Sequence, residues 1–94
     1  MTTLRFVHEF DSDPPYGDLS VDKDAPASAW IEFSVGSDGI WLSANRDGFL
    51  HLARVFSELG TREFERGYHF HMDPNFRGMG DASQLQVSVE VDDG

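Results

Sequence analysis

The 94-residue chain has no cysteine. Disulfides and thiolate metal ligands are therefore excluded, and a reducing compartment is permitted. Basic residues are scarce: 7 Lys and Arg stand against 17 Asp and Glu, for a formal charge of −10. A nucleic-acid-binding protein needs a cationic footprint to neutralise phosphates, and none is present, so nucleic acid is not an expected partner. Long apolar runs are missing as well. Nothing approaches the roughly 18 residues that a membrane span requires. The opening stretch MTTLRFVHEF has no basic region followed by an apolar one, so neither a signal peptide nor membrane association is expected, and the expected location is cytoplasmic.

What is present points to a folded protein. Hydrophobic residues make up 39% of the chain, with eight Phe and two Trp, which is more than a disordered chain carries. The length suits a single domain, residues 1–94, able to bury roughly 60–65% of its unfolded surface. The acids are unevenly placed. Six lie between Glu9 and Asp24 with one base, Lys23, whereas Arg46 to Arg66 holds four of each sign. An acidic surface attracts cationic partners and steers their encounter.

Leu4 to Phe10 is apolar at 4, 6, 7 and 10 and reads as a first strand. Residues 11–29 follow as an acidic loop containing Pro14, Pro15 and Pro26, long enough for a compact domain to need a reason for it. WIEFSVGSDGIWLSAN is the clearest local signal: two strands, Trp30–Val35 and Ile40–Ala44, around Gly36-Ser37-Asp38-Gly39. Pairing Val35 with Ile40 also pairs Ser34 with Trp41, Phe33 with Leu42 and Glu32 with Ser43. That register puts Ile31, Phe33, Val35, Ile40 and Leu42 on one face, and Trp30, Glu32, Ser34, Trp41 and Ser43 on the other.

Asn45 is an N-cap candidate for a helix from Arg46 to Leu59, stopped by Gly60. Phe49, Leu52, Ala53, Phe56 and Leu59 form its expected buried stripe, widened by Leu50 and Val55, with His51, Arg54, Ser57 and Glu58 on the wet side. Tyr68–Asp73 and Gln84–Val91 read as the last two strands, separated by a glycine-bearing loop. The expected fold is α+β: a single, mainly antiparallel sheet of about five strands with one helix packed on one face.

GYHFHMDP, Gly67 to Pro74, holds the residues with most chemistry. Strand alternation sends Tyr68, Phe70 and Met72 toward the helix and His69, His71 and Asp73 away from it. His69, His71 and Asp73 are the candidate metal ligands, but structural zinc asks for three or four fixed ligands and no second histidine pair is present. No nucleophile elbow, oxyanion-hole signature or phosphate-cradling glycine loop occurs. The expectation is therefore no catalytic residue, no cofactor and no metal. On one shared sheet, Trp30, Glu32, Trp41, His69, His71 and Glu90 would line a single open face. Aromatic anchors among charged neighbours are what interface hot spots are made of.

The succession SDGIWLSANRDGFLHLARVFSELG, GYHFHMDP and QLQVSVEV resembles the small immunity proteins of bacterial polymorphic-toxin systems. The nearest likeness is to the family known as immunity protein thirty-two, over about residues 30–91. The resemblance implies a cofactor-free inhibitor, not an enzyme, that binds a cognate secreted toxin domain stoichiometrically in the producing cell. Many toxins of such systems attack nucleic acid and carry basic surfaces, which an acidic inhibitor would complement. The alternatives are a small metal-binding protein or enzyme built on His69, His71 and Asp73, and a homodimeric interaction domain.

Overall fold

The computed structural model describes residues 2–11, 18–22, 25–72, 75–77 and 87–92. Among these residues the fold is α+β, with one helix. In chain order the elements are β1 (Ile31–Gly36), β2 (Gly39–Ala44), α1 (Arg46–Thr61), β3 (His69–Met72), β4 (Asn75–Arg77) and β5 (Val87–Glu90). They form two sheets rather than the single one expected. One has the order β2-β1-β4, and the other pairs β3 with β5.

The β1–β2 hairpin keeps the register read from the sequence, from Ile31 opposite Ala44 to Gly36 opposite Gly39. Its turn is tighter than the four residues expected, because Gly36 and Gly39 close the ladder around Ser37-Asp38. Gly39 takes φ of 133°, a conformation that costs a residue with Cβ dearly.

Two further expectations fail among the described residues. Residues 2–11 form no strand, and Leu4 is 91% exposed. Apolar positions 4, 6, 7 and 10 do not alternate strictly, so no strand register buries them all on one face. The glycine-bearing loop, by contrast, contains a strand, β4, parallel to β1 with Glu32 opposite Asn75. Three residues are too few to show a period.

The helix begins as expected. Asn45 caps it, its Oδ1 accepting from the Gly48 amide at 2.8 Å. Gly60 does not stop it; the helix runs on through Thr61, where the Arg62 amide caps the Glu58 carbonyl. Its rotation also differs from the expected one. Gly48, His51, Leu52, Val55 and Glu58 are buried, while Phe49, Leu50 and Phe56 are 51%, 43% and 49% exposed. Close approach decides this at the N-terminal end. A Cβ on Gly48 would meet the Trp30 carbonyl oxygen inside contact distance and lie 3.0 Å from Ile31 Cγ1. Only glycine lets the helix approach the hairpin so closely.

The core gathers Ile31, Leu52, Val55, Phe70 and Met72, with Leu19, Val21, Ala44, Leu59, Val87 and Val89 packed around them. The helix thus draws on both sheets for its apolar cover. Strand β3 alternates as expected, with Phe70 and Met72 buried and His69 and His71 exposed. So does β5, where Val87 and Val89 are half-buried and Ser88 and Glu90 exposed. Leu85 and Gln86 lie outside the described residues.

Candidate functional site

The residues expected on one open face fall on two sheets. Trp30, Glu32 and Trp41 belong to the β1–β2 hairpin and its approach, whereas His69, His71 and Glu90 belong to β3 and β5. Asp73 lies outside the described residues.

At the hairpin, Trp30 is 41% and Trp41 57% exposed. The Trp30 amide donates to Asn45 Oδ1 at 2.9 Å, so the helix cap also anchors the entry to β1. The Trp41 indole Nε1–H donates to Asp38 Oδ1 at 3.3 Å, tying the ring to the turn. Glu32 is half-buried in the middle strand.

The opposite face of the hairpin is exposed along β2. Along it, exposure rises from 5% at Ile31, beside the helix, to 41% at Leu42 and 75% at Ile40. The helix approaches most closely at the Ile31–Ala44 end, where it meets the hairpin at Gly48. Among the described residues β2 is an edge strand, exposed along most of its length, and α1, which packs against it, adds Phe49, Leu50 and Phe56. Sequence reasoning missed these five side chains. The expected buried stripe of the helix took in Phe49, Leu50 and Phe56, since periodicity gives a stripe but not the side from which neighbours arrive.

Glu58, expected on the wet side of the helix, is buried instead and forms a second polar centre. The Glu58 carboxylate accepts from the Ser20 amide at 3.0 Å, from Ser20 Oγ at 2.9 Å and from His8 Nε2 at 3.2 Å. Arg62, one turn on, lies 3.9 Å from Glu58 and donates to the Asp18 carbonyl at 2.6 Å. Burial pushes the Glu58 carboxyl up, but the bonds from Ser20 and His8 outweigh it and hold it below its ordinary value. These contacts clamp the N-terminal segment to α1. Phe64 is buried beneath, with the Arg62 guanidinium 5.5 Å from its ring centroid.

On β3, the rings of His69 and His71 have centroids 5.5 Å apart at 71°. Both line a recess of about 470 Å³ with Asp18, Leu19, Val21, Asp22, Tyr68 and Phe70. Among the described residues no group of three His, Asp or Glu could hold a metal ion. No described helix is long and apolar enough to cross a membrane.

The chain matches no protein-family model, and no curated protein or solved structure is significantly similar to it.

Proposed function

We propose that this chain is a protein-binding module that neutralises a basic protein partner by stoichiometric occupation, in the manner of a bacterial immunity protein against its cognate toxin. One observation carries the reading. Among the described residues ten large hydrophobic side chains are exposed against six hydrophobic residues buried. Exposed apolar surface of this extent, concentrated on β2 and α1, is the mark of a surface that another protein covers. Trp41 is a rigid aromatic anchor of the kind that dominates binding energy, and Ile40 and Leu42 add exposed apolar area on the other face of β2.

The chain's charge of −10 selects among partners. A basic surface would be steered toward it, and its Arg and Lys side chains would find carboxylates to pair with. A toxin that grips nucleic acid has such a surface. Such a protein needs neither catalysis nor a cofactor, and acts in the cytoplasm beside the newly made toxin.

The test is co-expression with the C-terminal domain of a toxin encoded beside its gene. A one-to-one complex, weakened by Trp41→Ala, is the expected result. A partner that binds Trp41→Ala and Ile40→Ser variants as tightly as the parent overturns the assignment of the surface. A chain that recovers no toxin and instead sediments as a dimer through that surface replaces the function with self-association.

A further inference from the structure

The histidines of β3 have a ligand chemistry of their own, independent of the partner-binding surface. Residues two apart on a strand point the same way, with Cα atoms roughly 6.6 Å apart. Here the two rings face each other edge to face at 5.5 Å. The second nitrogen of each ring is already engaged. His69 Nδ1 lies 3.0 Å from the Gly67 carbonyl. A carbonyl can only accept, so Nδ1 carries the proton and the lone pair sits on Nε2. Gly67 holds that carbonyl in place with φ of 87° while its own amide bonds the Val91 carbonyl at 3.0 Å. His71 Nδ1 lies 2.8 Å from Ser88 Oγ, its cross-strand neighbour. The hydroxyl can accept from that nitrogen and leave the second Nε2 free as well. An imidazole whose far nitrogen is fixed by a carbonyl or hydroxyl is the usual support of a metal-binding histidine.

We propose that His69 and His71 form an open, two-imidazole site for a borderline divalent transition-metal ion of the Zn²⁺ kind, bound through both Nε2 atoms. Imidazole nitrogen is a preferred donor for such ions. No third described side chain joins the pair, so water fills the remaining positions, and the recess of about 470 Å³ beside the rings has room for it. Asp18 and Asp22 line the same recess. Their charge raises the local cation concentration without ligating. An ion held this way exchanges readily and is not the fixed structural zinc that three or four protein ligands would give.

Calorimetric titration of the full chain with Zn²⁺, in a buffer that does not chelate, tests this. The expected result is saturable uptake of one ion per chain. His69→Gln or His71→Gln should each lower affinity at least tenfold, and Ser88→Ala, which removes only the support of His71, by about tenfold. Trp41→Ala should bind zinc as the parent does, which separates this site from the proposed interface. The imidazole nitrogen resonances of the parent chain give a readout without substitution: zinc should shift those of His69 and His71 and leave those of His8 and His51 in place. No saturable uptake by the parent overturns the proposal. So does undiminished affinity in the His69→Gln, His71→Gln double variant, or a titration that shifts His8 or His51 instead.

Discussion

Ser20 donates to Glu58 twice, through its amide at 3.0 Å and its hydroxyl at 2.9 Å, although 38 residues separate them. This pair does for the N-terminal segment what a strand ladder was expected to do. The segment has no sheet partner among the described residues, so its polar groups are met by a helix side chain. A buried carboxylate is tolerated on α1 for the same reason: three hydrogen bonds replace the water it loses.

Removing that acceptor should be costly. Glu58→Ala leaves the Ser20 amide and hydroxyl and the His8 ring without their partner, which predicts a loss of about 2–3 kcal/mol. Ser20→Ala removes one hydrogen bond and should cost about 1 kcal/mol. Urea unfolding of the two variants measures both. A Glu58→Ala loss under about 0.5 kcal/mol, the level of an ordinary surface change, would show that the clamp contributes nothing.

The same carboxylate gives stability a direction with pH. Its folded-state pKa is lowered from 4.5, so the folded state binds its proton more weakly than the unfolded chain does. The contribution is complete above the unfolded value and disappears as pH falls through the lower folded one. Thermal midpoints should therefore fall on acidification below about pH 4.5. In Glu58→Gln that part of the acid dependence should vanish, leaving a shallower slope. Parallel slopes in parent and variant would mean that Glu58 is not the group responsible.

Two glycines of one helix should respond oppositely to alanine. At Gly48 the new methyl group meets the Trp30 carbonyl and lies 3.1 Å from Ala44 Cβ, and relieving that overlap separates helix from hairpin. The expected cost is about 2 kcal/mol. At Gly60 nothing lies within 4 Å, and the position is helical, so Gly60→Ala should stabilise by about 0.5–1 kcal/mol. Chemical denaturation of the pair decides the matter, and a Gly48→Ala variant as stable as the parent would contradict the packing described.

Trp41 should matter for binding and little for folding. At 57% exposure its replacement by alanine should change stability by within about 0.5 kcal/mol. It should weaken binding of the proposed basic partner by about 2 kcal/mol or more. Association should also slow as salt is raised, because the steering charges become screened. Surface plasmon resonance at several ionic strengths reads both effects. An association rate indifferent to salt would remove charge from the account of recognition.

Local signals in the sequence determined the hairpin and its register, the Asn45 cap, and the alternation that buries Phe70 and Met72 and exposes His69 and His71. Each depends on neighbours a few residues away, or on a two-residue period that leaves one assignment of faces. Tertiary structure alone decided how the strands divide between two sheets and which side of α1 turns inward. The helix offers two candidate faces, an aromatic one through Phe49 and Phe56 and a mixed one through Val55 and Glu58. Periodicity favours the aromatic face because it is the more apolar. The mixed face is buried because Gly48 admits the hairpin, because Ser20 and His8 donate to Glu58, and because the Asp18 carbonyl accepts from Arg62. Those partners lie far off in the chain, where no local pattern reaches. The exposed aromatic face follows from that choice, and so does the partner surface proposed for it.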